Sequence, residues 1–512
     1  MWSAMVLLPI GATLTHQSPL SILDLQSDSL ALTVPTTAPS GTSHVVDQSY
    51  LGLAISQHSF QEYAGNKSSP NKFSANLINA ISQRTGTAVH IRVGGTSGDF
   101  STFDPNQKES IVFPPGYKPG GIPKGMKLGP AWYEGFTSFP GVQWTYMTHL
   151  ANNSDGQKAN SVAGTKEAIK NIGSNLEALE IGNEINFYPN VNRNGSYSVV
   201  NYLNEWNDYQ EAIDAAAGKQ KYQAPVYFGN NCPWCISNTF QRGQNSKNNV
   251  VSAALHHYMD GSNVPVTALQ SNYMNHTRIA NQLDPFKKPV AWLADNAPSV
   301  KVDLAEDNSN TYSTNNYDVL GVFGSTLWLA DYLLYGTTLG IRRMNIQQST
   351  GFSYASWRGV DYNGLPAAVL PPYYAHPFVA DVLGKTGSTR VVNIATGRDT
   401  FSAYGIYDGS TLKRIVLINF REYNSASSSS RPATTVSLTA GSYNGKVTVE
   451  RLTAPDAHVQ DASKISWRGL SWTKQSNGQA YQSAQTTGSA TAKSGKFSVD
   501  LPDSSAVLLT LG

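Results

Sequence analysis

From about residue 50 to residue 350, short apolar or β-branched runs alternate with longer amphipathic stretches. The short runs predict strands at 51–55, 88–93, 142–148, 176–181, 226–229, 253–258, 302–305 and 341–346. The longer stretches predict helices at 73–83, 164–171, 202–217 and 322–339. Strands alternating with helices imply a parallel sheet. Eight such strands in roughly 300 residues fit a closed (β/α)8 barrel. The competing architecture, an open doubly wound sheet, lacks its usual signature, because no Gly-x-Gly-x-x-Gly opens a helix after the first strand.

After Pro371-Pro372 the pattern changes to short alternating strands at 401–407, 412–419, 435–438, 446–451, 495–499 and 506–511. Their turns contain Asp-Gly, Tyr-Asn-Gly and Ser-Asn-Gly, which mark hairpins. This predicts a β-sandwich with Ser and Thr on its solvent face. Residues 29–35 alternate in the same way ahead of the barrel and are expected to donate a strand to that sandwich. The chain therefore reads as α/β, a (β/α)8 TIM barrel with a C-terminal antiparallel β-sandwich that includes an N-terminal strand. The expected division is 1–48 for the N-terminal segment, 49–370 for the barrel and 371–512 for the sandwich.

Composition narrows the function. Charged residues are 14% of the chain, against about 25% in an average soluble protein. A net charge of +2 without any Lys/Arg run argues against nucleic acid, which needs a concentrated basic footprint. No stretch approaches the roughly 20 apolar residues of a membrane helix. The start, Met-Trp-Ser-Ala-Met-Val-Leu-Leu-Pro-Ile-Gly-Ala, is apolar but short and has no basic residue, so it is weak evidence for a signal peptide. Asn-x-Ser/Thr triplets begin at Asn66, Asn152, Asn194 and Asn275, and with the low charge they lead us to expect a secreted protein. Cys232-Pro-Trp-Cys235 has redox spacing but follows a strand and loop. Zinc would need further soft ligands, and the chain has no other cysteine. The pair is read as a small disulfide pinning one loop, and no metal or cofactor is expected.

Catalytic groups in such a barrel come from the C-terminal ends of strands. Glu180-Ile-Gly-Asn-Glu184 closes the fourth strand and Leu304-Ala-Glu306-Asp-Asn-Ser309 the seventh. Two carboxyl groups facing one cleft suit glycosidic hydrolysis, in which a protonated one releases the leaving oxygen and an ionised one meets the oxocarbenium-like carbon. The bland alternative is that both are solvated loop residues. For Glu306, Asp295, Asp303 and Asp307 are close competitors. Asn183 is placed so that its amide can hold a sugar hydroxyl beside Glu184.

Five motifs then occur in order: Gly65-Asn-Lys-Ser-Ser-Pro-Asn71, His90-Ile-Arg-Val-Gly-Gly95, Glu180-Ile-Gly-Asn-Glu184, Leu304-Ala-Glu-Asp-Asn-Ser309 and Leu327-Trp-Leu-Ala-Asp-Tyr-Leu-Leu-Tyr335. Together they resemble family 79 of the glycoside hydrolases, the β-glucuronidases of fungi and bacteria whose relatives include heparanase. The likeness spans the chain, terminal sandwich included. It implies a retaining mechanism with Glu184 as acid/base and Glu306 as nucleophile. The family commonly reads Gly-Glu-Thr-Asn-Ser at the nucleophile, where this chain reads Ala305-Glu-Asp-Asn-Ser309, so Asp307 adds a second carboxylate.

Arg92 is the kind of cation that keeps a nucleophilic carboxylate ionised, or else forms a structural ion pair. Tyr258 is expected to hydrogen-bond Glu306, as the resemblance to related barrels supports, whereas His256 and His257 are read as packing residues or as supports to the catalytic groups, without a proton role. The donor-rich segment Gln347-Gln-Ser-Thr-Gly-Phe-Ser-Tyr354 offers Gly351 and Tyr354 to a sugar carboxylate. Trp132, Trp144 and Trp357 either stack on sugars or fill the core. The expected activity is exo-cleavage of terminal β-D-glucuronic acid, or its 4-O-methyl form, from a glycan or glucuronide conjugate. The alternatives are a heparanase-like endo-enzyme, a retaining glycosidase of neutral sugars, and a non-catalytic carbohydrate-binding protein. Against the first of these, the mouth loops 94–100, 182–189, 230–238 and 349–356 contain no Lys or Arg.

Overall fold

The computed structural model describes residues 28–151, 154–428, 430–485 and 487–512. The apolar start of the chain and the Asn152 triplet lie outside the described residues. Eight parallel strands close into a barrel: Leu51–Ser56, His90–Gly94, Gln143–Thr148, Leu176–Ile181, Tyr222–Phe228, Val250–Asp260, Lys301–Asn310 and Arg343–Gln348. The eighth returns to the first with Met344 opposite Leu51, which completes the closure.

Helices Lys72–Thr85, Asp155–Ile172, Val199–Ala217, Lys287–Asn296 and Phe323–Thr337 cover the outside. Local chemistry sets their ends. Ser198 and Asn201 form a reciprocal capping box at the start of Val199–Ala217, satisfying backbone N–H groups that the helix cannot. The helix Phe323–Thr337 is buried all round, because it lies between barrel and sandwich. Its Asp331 accepts hydrogen bonds from the sandwich residue Tyr404 (2.6 Å) and lies 2.8 Å from His276.

Two strands differ from the sequence expectation. The fifth starts at Tyr222, ahead of its apolar run, and the seventh runs on to Asn310. Both polar extensions sit where side chains enter the barrel interior or its mouth, so apolarity alone does not mark them. At the opposite end, Arg342 binds Asp303 and Glu177, and Arg343 binds Glu177, which closes the barrel floor.

The C-terminal region holds a nine-stranded sheet facing a three-stranded one. In the three-stranded sheet, Ser29–Thr33 pairs parallel with Ala433–Thr439, which pairs antiparallel with Lys496–Pro502. The large sheet alternates between two cores. Phe401, Ala403, Ile415, Leu417, Val507 and Leu509 face the small sheet, while Tyr404, Ile406, Val416, Ile418 and Leu508 face the barrel helices. The expected Ser/Thr solvent face therefore belongs to the small sheet, and the centre of the large sheet is buried on both sides. The period of two is preserved, but both faces of the large sheet are apolar because each packs against another layer.

Leu30 and Leu32 of the N-terminal strand enter the inter-sheet core, whereas Ala31 faces solvent. Leu32→Ala should lower the protection of the small-sheet amides in native-state hydrogen exchange by about 2–3 kcal/mol, as a buried leucine truncation does. Ala31→Ser should change it by less than about 0.5 kcal/mol.

Candidate active site

The second barrel strand carries Arg92 at its C-terminal end, fully buried. A guanidinium there must be surrounded by acceptors. Its Nε donates to Glu180 Oε2 (2.8 Å), Nη1 to Glu306 Oε2 (2.5 Å) and Nη2 to Asn183 Oδ1 (2.9 Å). One side chain thus joins the ends of the second, fourth and seventh strands. The other oxygen of Glu306 accepts from the Tyr258 hydroxyl at 2.7 Å, so both oxygens are fixed. Gly95, at φ 89°, lets the backbone pass this carboxylate: an added Cβ would stand 3.4 Å from Glu306 Oε2 and would be strained in that conformation.

Glu184 follows Gly182 and adopts left-handed backbone angles (φ 47°, ψ 53°), a strained position for a side-chain-bearing residue. The turn is anchored from below by Asp99, which accepts hydrogen bonds from the Asn183 and Leu150 backbone N–H groups and the Tyr188 hydroxyl. Glu184 Oε1 lies 3.0 Å from His256 Nδ1. Glu184, His256 and Glu306 each offer an atom within 4.8 Å of the others.

Burial sets the electrostatics of these groups. It pushes the Glu184 carboxyl up to about 7, with the positive charge of Arg92 pulling the other way. It also drives His256 down to about 3, so the imidazole is neutral across the physiological range. Burial and the neighbouring Glu306 charge hold the Tyr258 phenol well above its usual range, so it remains a donor. For Arg92, burial opposes the charge, but Glu180 and Glu306 outweigh it and raise its pKa. The triad Glu184–His256–Glu306 is the only group among the described residues with metal-ligand spacing. Glu306 is already matched by the Arg92 guanidinium and Glu184 favours its proton, so the charge that would attract an ion is largely spent.

Asp307, the competing carboxylate, is on the other face of its strand. It lies opposite His257 in the sheet register, and His257 Nδ1 lies 2.7 Å from the Tyr332 hydroxyl on the outer helix Phe323–Thr337. Fully buried there, Asp307 has its pKa raised well above the usual carboxylate range by burial. Asp303 belongs to the barrel floor with Arg342, and Asp295 lies on the outer helix Lys287–Asn296.

The remaining candidates divide. Tyr354 is buried, with its ring 6.4 Å from that of Tyr258 and its hydroxyl without a protein partner. Gly351, at φ 90°, packs its α-carbon against the Tyr362 ring, where a Cβ would come within 2.6 Å. Trp132, Trp144 and Trp357 do not reach the mouth. The first two join Phe60 and Phe136 in an aromatic cluster, and Trp357 donates to Ser74, so all three are core. Cys232 and Cys235 are joined in a disulfide on the loop after the fifth strand. Sequence reasoning missed Glu180, His256 and Tyr312. Tyr312 is 49% exposed at positive φ (45°), and its hydroxyl lies 3.1 Å from Thr96 Oγ1. Period-two alternation places Glu180 inside the barrel with Ala178; nothing local marks Tyr312.

Residues 403–508 match the glycosyl hydrolase family 79 C-terminal beta domain. The chain is 28% identical to a beta-glucuronidase of Aspergillus niger over 95% of each chain. It is 26% identical to a beta-glucuronidase of Neurospora crassa over 87% of this chain and 88% of that one. It also resembles the crystal structure of a 4-O-α-L-rhamnosyl-β-D-glucuronidase from Fusarium oxysporum 12S, with TM-score 0.78, 24% identity, and 94% of this chain and 100% of that one covered. The terminal sandwich thus matches the family 79 beta domain, and the chain, with two carboxyl groups set across the mouth of its barrel, is similar along its length to these beta-glucuronidases.

Proposed function

We propose that the protein is a retaining exo-β-glucuronidase, releasing terminal β-D-glucuronic acid or its 4-O-methyl form from glycans or glucuronide conjugates. The observation that carries this is the close approach of two carboxyl groups with different partners. Glu184 is pushed to about 7 by burial, while Glu306 accepts from a guanidinium and a phenol within 4.8 Å of it. Retaining enzymes hold their carboxyls about 5–5.5 Å apart, whereas inverting ones leave about 6.5–9.5 Å for a water.

In the first step Glu184 donates its proton to the glycosidic oxygen while a Glu306 oxygen attacks the anomeric carbon. The aglycone departs and a glycosyl ester remains. In the second step the Glu184 carboxylate takes a proton from water, whose oxygen displaces Glu306 and restores the β configuration. The buried, unpaired Tyr354 hydroxyl and the turn at Gly351 supply neutral donors for the sugar carboxylate. A site built on such donors leaves them unpaired when a glucoside binds, so it prefers the glucuronide.

Sulfated chains need a row of cations along the cleft. Around this mouth Lys124 lies 5.0 Å over the Phe100 ring, Arg278 is paired with Asp260, and Arg358 donates to Pro366 and Tyr317. Cations engaged in this way are a poor basis for endo-cleavage of heparan-like polymers. The disulfide and the exposed turn at Asn194 support an extracellular location, with Asn194 as a glycosylation site. No helix among the described residues is long and apolar enough to cross a membrane.

Aryl β-glucuronides should be cleaved at least 100-fold faster than the matching β-glucosides, with β-glucuronic acid the first product seen by NMR. First release of the α-anomer, equal rates on both sugars, or rapid shortening of heparan sulfate would each overturn this reading. Glu306→Gly should lose activity by more than 1,000-fold and regain part of it with azide, yielding the α-glucuronosyl azide. The kcat/KM profile should fall above about pH 7, as Glu184 loses its proton.

A second expectation needs no substrate. Because the folded protein binds the Glu184 proton more tightly than the unfolded chain does, this residue costs stability as pH rises from about 4.5 to 7. Glu184→Gln should therefore be more stable than wild type by about 1–2 kcal/mol at pH 8, with the gain vanishing towards pH 4. An equal difference at both pH values in urea unfolding would show that the carboxyl is not desolvated.

A further inference from the structure

The acid that protonates the glycosidic oxygen lies beside the leaving group, so the aglycone departs over the residues that follow Glu184 and over the neighbouring strand end. Phe187 is there, and it is 50% exposed. Among the described phenylalanines and tryptophans no other is classed as exposed, so this ring is not ordinary surface scatter.

Its exposure is built in. After the left-handed turn at Glu184, the 3-10 turn Ile185–Phe187 sends Ile185 fully into the core and Phe187 outward. The Phe187 ring stands 5.4 Å from the half-buried Phe228 ring at the end of the fifth strand. Asn186, between acid and ring, fixes that spacing. Its Oδ1 accepts from the Phe228 backbone N–H (2.9 Å), and its Nδ2 donates to the Phe228 carbonyl (3.3 Å). Phe228 lies opposite His256 in the sheet register, and His256 contacts Glu184. Acid, imidazole and the two rings thus form one ledge. From Glu184 to Pro189 the only charged side chain on it is Glu184 itself.

We propose that Phe187, backed by Phe228, is the platform on which the leaving group lies, taking a flat apolar face. An aryl ring and the C–H face of a pyranose both present such a face, and substrate choice distinguishes them. The assignment rests on Glu184 as the acid of the reading above and extends it to the aglycone. Asn186 is a positioning residue in this scheme, holding the platform at a fixed distance from the acid.

The test compares kcat/KM for three β-glucuronides, carrying a 4-nitrophenyl group, a pyranose, or a methyl group that offers no flat face. In Phe187→Ala the preference for at least one flat aglycone over methyl should fall about tenfold, and Phe187→Tyr, which keeps the ring, should hold it within about twofold. A fall for the aryl substrate identifies aromatic conjugates, and a fall for the pyranoside identifies glycans. Unchanged ratios for both in Phe187→Ala, whether the absolute rates hold or drop together, would overturn the platform while leaving the glucuronidase reading intact. A wild-type enzyme that cleaves none of the three would overturn both.

Discussion

A single buried guanidinium organises the mouth of this barrel. Arg92 has no access to water, and leaving its donors unpaired would cost several kcal/mol. Glu180, Asn183 and Glu306 meet that demand from two further strands, and in doing so they are brought into register with one another. Buried ion pairs are poor sources of net stability, because desolvation consumes most of the Coulombic gain. What this one supplies is geometry: Glu306 cannot rotate without unpairing Arg92. Glu180 shares the same guanidinium, and burial pushes its carboxyl up to about 7 while Arg92 pulls it back.

Much of this was legible in the chain. The eight strands stand out because barrel strands, covered on both sides, are short apolar runs, and the carboxyl groups stand out because they interrupt charge-poor stretches. What alternation conveys about direction is harder to read. Glu306 and Asp307 are adjacent and chemically alike, yet a period of two sends one into the mouth and the other against the outer helix near Tyr332. The sequence offers the pair; only the registers with His256 and His257 separate them.

Other features depend on contacts between distant segments and leave no local signature. For Trp132, Trp144 and Trp357 the sequence left sugar stacking and core packing both open, and they fill spaces between the barrel and its helices. The exposed aromatic side chains beside the site are instead Phe187 and Tyr312, each placed by an unusual backbone conformation at or just before it: Glu184 and Tyr312 have φ of 47° and 45°. A positive φ at a non-glycine residue is invisible to composition and periodicity, and such positions cluster at functional sites. The sandwich repeats the lesson on a larger scale. Its Ser/Thr alternation was read correctly as strand, but which sheet met solvent depended on where the barrel docked.

The behaviour of Glu184 depends on a neighbour that stays uncharged. A cationic imidazole 3.0 Å away would favour the carboxylate and remove the proton that the proposed first step needs. Burial prevents this by holding His256 down to about 3, while the same burial lifts Glu184 to about 7. Both shifts have one cause, exclusion of water from the mouth, and both favour the neutral form. Glu306 differs from both in its partners, because it alone of the three accepts from a guanidinium. Two glutamates with oxygens within 4.8 Å of each other are thereby given different partners, an imidazole for one and a guanidinium with a phenol for the other. That difference suits the proposed double displacement, in which one group gives up a proton as the other attacks.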